Sequence, residues 1–245
     1  MKSLFISFAV ALSISTSAAS GPRLVEPVLH TGKDRGGPAH VALTFDACMG
    51  RVDMRILDVL LRERIPATIF VTARWLQYNP QATAILLAHP DLFEIENHGA
   101  MHVPAVDYPT SIYGITAAGS PQAVAREVEG GGAAIVAAGA PQPRWFRGAT
   151  AKYTAASITE ISRLGYRIAG YSINGDDGSL LGAGAAERRV ASARDGDVVI
   201  AHINQPGHAA GAGVVRGILA LKKRGVRFVR LADGAAPPPA PVLSD

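Results

Sequence analysis

Between His40 and Leu231 the chain alternates short apolar runs with longer stretches whose apolar residues recur every three or four positions. The short runs are Val41–Phe45, Ala67–Val71, Phe93–Ile95, Trp145–Phe146, Arg167–Ile173, Val198–Ala201 and Phe228–Leu231, and they predict strands. Among the longer ones, DMRILDVLLRER opens on Asp53, while TAASITEISRLG opens on Thr154 and closes on Gly165; VVRGILALKKRG closes on Gly225. Asp and Thr accept hydrogen bonds from the first free amides of a helix, and Gly takes the left-handed turn that ends one. Strand–helix alternation through one domain predicts a parallel sheet covered by helices. About seven such units suit a closed or nearly closed (β/α) barrel, with a doubly wound open sheet as the alternative. The segment Val103–Pro121 shows no clear period and predicts a long loop that shapes a site.

The chain of 245 residues is 48% hydrophobic and 18% charged, which is enough material for one sizeable core. Its start has the layout of a secretory signal peptide: Lys2, an apolar run Leu4–Ile14, then STSAAS. The run is too short for a membrane span, which takes about 20 residues, so residues 1–19 predict export with cleavage near Ala19. Residues 20–37 read as an N-terminal segment, 38–232 as one domain and 233–245 as a disordered Pro-rich tail. The expected location is periplasmic or secreted, with no integral membrane span. Cys48 is the single cysteine, so no intramolecular disulfide is available, and its bland reading is a small buried hydrophobe. The net charge of +4, without a Lys/Arg cluster, gives no reason to expect a nucleic-acid partner.

In parallel α/β architectures, chemistry collects past the C-terminal ends of the strands. There the sequence places Asp46, then His98 and His102, then Arg147, then Asn174, Asp176 and Asp177, and finally His202. Each has an ordinary reading alone: Asp46 as a turn former, Arg147 as a salt-bridging group, His202 as a hydrogen-bonded histidine. Together they crowd ionisable groups from five strands onto one face. HGAMH sets two imidazoles four apart, on one face if that segment is helical, which suits two ligands of one zinc. It lacks the Glu of the HExxH pattern. His30, His40, His89 and His208 lack this placement and read as structural or exposed.

In motif order from about His40 to Leu231, the chain resembles the polysaccharide deacetylase family, the NodB-homology or carbohydrate esterase 4 group. The family's TFDD appears as TFDA, its H-[ST]-x-x-H as HGAMH, its R-x-P-Y as RGAT, its D-x-x-D-W as NGDDG and its L-x-H as IAH. The resemblance implies a distorted (β/α)7 barrel, a divalent metal such as zinc, and removal of acetyl groups from the N-acetylated sugars of a polysaccharide or oligosaccharide. Carried over by position, Asp46 is the general base, His98 and His102 are metal ligands, and Arg147 holds the base carboxylate. Asp177 supports the acid, and His202 is that acid.

Ala47 stands where the family has its third metal ligand. Three outcomes are open: Asp46 moves onto the metal, Cys48 supplies a thiolate from the same side of the strand, or the metal is absent and the site altered. The missing Pro-Tyr after Arg147 and Trp after Asp177 imply a wider, less aromatic groove. Two further readings of function remain beside deacetylation: a catalytically inactive glycan-binding barrel, and an esterase of acetylated small molecules.

Overall fold

The computed structural model describes residues 22–32 and 37–234. The expected signal peptide, its cleavage point near Ala19 and residues 235–245 of the tail lie outside the described residues.

The strands are β1 (His40–Ala47), β2 (Ala67–Val71), β3 (Phe93–Asn97), β4 (Ser111–Ile112), β5 (Ile115–Thr116), β6 (Trp145–Phe146), β7 (Arg167–Ile168), β8 (Ile173–Asn174), β9 (Val198–His202) and β10 (Arg227–Val229). The helices are α1 (Met54–Arg62), α2 (Ala73–Tyr78), α3 (Pro80–Ala88), α4 (Pro121–Ala137), α5 (Ala155–Arg163), α6 (Ala183–Ala191), α7 (Ala209–Lys223) and the short α8 (Leu231–Gly234). The caps read from the sequence are in place. Asp53 accepts from the Arg55 amide at 3.1 Å, Thr154 accepts from that of Ser157 at 3.0 Å, and Gly165 and Gly225 both have positive φ.

The main sheet is parallel, in the order β7-β6-β3-β2-β1-β9-β8. β10 pairs with the start of β1, on the edge that β2 takes further along. The predicted strand Arg167–Ile173 is two strands, β7 on one end of the sheet and β8 on the other. Counted as one kinked strand they close the barrel, which then has seven strands as expected. Gly170 sits at the kink, and a Cβ there would come within 2.1 Å of the Pro27 carbonyl oxygen. The N-terminal segment crosses this seam, bridging to Tyr153 through Val25 and to Asp197 through His30.

Alternation along β1 sorts its side chains into two layers. Val41, Leu43, Phe45 and Ala47 pack outwards against Ile56, Leu57 and Leu60 of α1 and Ile218 and Leu221 of α7. Each such buried Leu or Ile contributes roughly 1.5–3 kcal/mol. Ala42, Phe70, Trp145, Ala169, Val198, Val229 and Leu231 form a smaller plug inside the barrel. Thr44, Asp46 and Cys48 share the inward parity, so Asp46 and Cys48 open onto the C-terminal mouth of the barrel. The Val103–Pro121 segment, expected as a loop, contains the β4–β5 hairpin. Its turn residues Tyr113 and Gly114 both take positive φ, as a two-residue hairpin turn demands.

Candidate active site

Asp46 ends the inward row of β1 and lies beside Arg147, which follows β6. The Arg147 guanidinium is fully buried. Its Nη1 donates to Asp46 Oδ1 at 2.9 Å and to Thr44 Oγ1 at 2.9 Å; Nε and Nη2 donate to the carbonyls of Ala169 and Gly170. The same group stacks 4.3 Å above the Phe70 ring. Burial favours the neutral acid at Asp46, but the charges of His98, Arg147 and His202 outweigh it and hold the carboxyl below its usual range. Asp46 is therefore an ionised carboxylate in a dry setting.

His98 is buried at the end of β3. Its Nδ1–H donates to the Arg147 carbonyl at 2.5 Å, which leaves Nε2 as the free face of the ring. Nε2 looks onto Cys48 Sγ at 3.3 Å and Asp46 Oδ2 at 3.7 Å. His102 stacks beside it with ring centroids 5.1 Å apart. The helix considered for HGAMH does not form, because Gly99 (φ +90°) and His102 (φ +63°) are left-handed. The segment instead wraps the carboxylate of Glu127 on α4, which accepts from the amides of Met101 and Val103. A Cβ at position 99 would come within 2.3 Å of that carboxylate. Glu127 was invisible to strand-end reasoning, since it sits in mid-helix and reads as a solvated face.

The structure also reassigns the partner of His202. The resemblance pointed to Asp177, but the buried Asp176 accepts from the His202 amide at 2.6 Å and from Nδ1 at 2.9 Å. Asp177 is exposed and left-handed, its amide tied to Asn174 Oδ1. Burial would favour neutral His202, but the charge and hydrogen bond of Asp176, with Cys48, hold it protonated well above the usual histidine range.

Cys48, Ala47 and the following turn show how this chain departs from the TFDD pattern. Ala47 still pairs with Val71 and packs outwards in the helix-side core. Cys48 turns inwards, and its carbonyl accepts from Thr72 Oγ1 at 2.5 Å. Asn79 holds the carbonyl of Gly50 and the amide of Val52, and Asn204 donates to the Met49 carbonyl. Burial opposes ionisation of the thiol, but the charge of His98 and hydrogen bonds to His102, His202 and His98 hold it well below the usual thiol range. His98 is correspondingly pushed up to about 9: burial opposes its charge, and Asp46 and Cys48 outweigh burial. Among the described residues, Cys48, His98 and His102 offer one ligand atom each, all within 4.8 Å of one another. One thiol and two imidazoles in that space fit a divalent, thiophilic metal. Asp46, which the sequence left open as a replacement third ligand, is outside this group of donors and bound to Arg147.

A family model for polysaccharide deacetylases matches residues 33–169, more than half of the chain. The chain belongs to the polysaccharide deacetylase family. The deacetylase barrel recurs in solved structures of low identity. A family 4 carbohydrate esterase from Streptomyces lividans is 19% identical with a TM-score of 0.60, covering 78% of this chain and 91% of that one. The peptidoglycan deacetylase PdaC from Bacillus subtilis is 19% identical with a TM-score of 0.65, covering 80% and 90%. A family 4 pseudoenzyme from Bacillus anthracis is 18% identical with a TM-score of 0.64, covering 85% and 69%. No curated protein matches the chain.

After β6 this deacetylase-family chain differs most from the R-x-P-Y pattern. Thr150 (φ +69°) and Ala151 (φ +51°) are both left-handed, and the buried Thr150 Oγ1 has no partner among the described residues. The remaining histidines lie elsewhere, as expected. His40 bonds Thr31 and Asp195, His30 faces Asp197, His89 ends α3 and His208 donates to the Ser179 carbonyl.

Proposed function

We propose that the protein is an exported, metal-assisted deacetylase that removes acetyl groups from N-acetylated sugars of a polysaccharide. The observation that carries this reading is the pairing of an ionised carboxylate, Asp46 on Arg147, with a protonated imidazole, His202 on Asp176, around one group of metal donors. A divalent metal held there by His98 and His102 would polarise the acetyl carbonyl and lower the pKa of a water.

The chain's own groups supply the proton transfers. Asp46, kept charged by Arg147, takes a proton from the attacking water. His202, kept charged by Asp176, delivers one to the departing amine nitrogen, which leaves poorly as an anion. The balance is one amide and one water consumed, one amine and one acetate formed. Export to the periplasm or beyond, expected from residues 1–19, would bring the enzyme to a cell-envelope or external polymer.

The test is acetate release from N-acetylglucosamine oligomers and from peptidoglycan, with added zinc. The wild type is expected to release acetate, and Asp46→Asn and His202→Ala to lose nearly all of it. Full activity in both variants would refute the assignment. The outward-facing Ala47 favours one second reading, a barrel that binds glycan without turnover. Saturable binding of the oligomers with no acetate formed would select it.

A further inference from the structure

We infer that the metal centre is thiolate-ligated: Cys48, His98 and His102 are its protein ligands, and Asp46 stays off the metal. The inference deepens the metal-assisted reading above and rests on the geometry of β1 and its turn. Position 47 is still inside the strand, paired with Val71 and packed among the helix-side apolar residues. A carboxylate there would be buried away from the site without a partner. The next inward-facing position after Asp46 is 48, and the chain places a sulfur there. The ligand has moved by one residue, and its chemistry has changed with it.

Four observations converge on that sulfur. Cys48 Sγ is 3.3 Å from His98 Nε2. Zinc bonds of about 2.3 Å to sulfur and 2.0–2.1 Å to nitrogen, at tetrahedral angles, put those two ligand atoms about 3.6 Å apart. Second, His98 spends its Nδ1–H on the Arg147 carbonyl, an arrangement that orients a ligating imidazole and frees Nε2 towards the sulfur. Third, Asp46 Oδ1 is committed to Arg147, and Asp46 is not part of the donor group whose ligand atoms lie within 4.8 Å of one another. Fourth, Thr72, Asn79 and Asn204 anchor the turn that carries Cys48, so the thiol is held in place before any metal arrives. A free nucleophilic cysteine is the competing use of this sulfur, and it needs no second imidazole at His102.

A sulfur ligand gives the centre a selectivity that an oxygen ligand would not. Zinc, cobalt and cadmium should bind, and magnesium, calcium and manganese should not compete.

The experiment is a titration of the metal-free full-length mature protein with cobalt(II), followed optically, and with zinc, followed by calorimetry. A near-ultraviolet thiolate-to-cobalt charge-transfer band at one equivalent is expected in the wild type and in Asp46→Asn. Cys48→Ser should lose the band and weaken zinc binding by more than ~100-fold, since even the outer partners of ligands are worth about 10–100-fold. A bound cobalt without the band, unchanged zinc affinity in Cys48→Ser, or loss of metal in Asp46→Asn would overturn the inference. So would no metal binding at all, or an acetyl thioester on Cys48 found by mass spectrometry after incubation with an acetyl ester. The two readings separate cleanly. A thiolate band without acetate release would sink deacetylation alone; acetate release from a cobalt enzyme lacking the band would sink the thiolate ligand alone.

Discussion

Arg147 and Asp46 form a 2.9 Å ion pair whose guanidinium is completely shut off from water. The pair joins strands β1 and β6 across the barrel interior, and Thr44, Ala169 and Gly170 complete the guanidinium's partners. Removing one partner of a buried pair leaves the other charge uncompensated, which costs about 3–5 kcal/mol. Arg147→Met should therefore lower unfolding stability in urea by that amount. Asp46→Asn keeps an oxygen acceptor for Nη1 but leaves the permanently charged guanidinium uncompensated, so its loss should be comparable. A loss in Asp46→Asn far smaller than in Arg147→Met would show that the hydrogen bond, and not the Asp46 charge, is what Arg147 needs.

The His202–Asp176 contact separates two adjacent acids that sequence alone could not rank. Asp176→Asn should reduce kcat for acetate release by roughly 10²–10⁴-fold, the usual worth of a positioned general acid. Asp177→Ala, at an exposed turn, should leave kcat nearly unchanged. The reverse order would restore Asp177 as the partner in solution.

The contrast between those two acids shows where the sequence was legible and where it stopped. Strand ends, helix caps and the order of Asp46, His98, Arg147 and His202 follow from periodicity and local chemistry, and the structure brings all four together. Legibility fails wherever a choice depends on backbone turn geometry. Asp176 and Asp177 differ by one residue, but the left-handed φ at 177 sends one carboxylate inwards and the other out. HGAMH has helical spacing, yet Gly99 and Glu127 make it a loop. The Arg167–Ile173 run looks like one strand because its kink at Gly170 is set by a contact with Pro27, more than 140 residues away in sequence. The role of Cys48 turns on whether β1 continues through Ala47, which only the pairing with Val71 decides.

Glu127 acts on the site without touching it. Its carboxylate gathers the amides on either side of His102, those of Met101 and Val103. Glu127→Ala should release the segment carrying His102 and weaken zinc binding by about 10–100-fold, as loss of an orienting partner does. Oε1 alone accepts from both Met101 and Val103, so Glu127→Gln should retain most of the affinity. Calorimetric titration of the folded variants checks both, and an unaffected Glu127→Ala would free His102 from this dependence.

Glu96, facing the barrel interior on β3, gives the stability a pH dependence remote from the chemistry. Burial first, then the neighbouring charge of Glu94, pushes its carboxyl up to about 8, against two hydrogen bonds from the Arg144 and Trp145 amides. In the unfolded chain the same group ionises near 4.5. Between those values the folded state holds a proton that the unfolded state has released, so stability must fall as pH rises through that window. The full loss is on the order of a few kcal/mol. Glu96→Gln keeps an oxygen for the two amides and removes the titration. Urea unfolding at pH 5, 6.5 and 8 should show the wild type weakening relative to Glu96→Gln at each step, with the gap widest at pH 8. A gap that stays constant across the three would mean that Glu96 is ionised in the folded protein throughout.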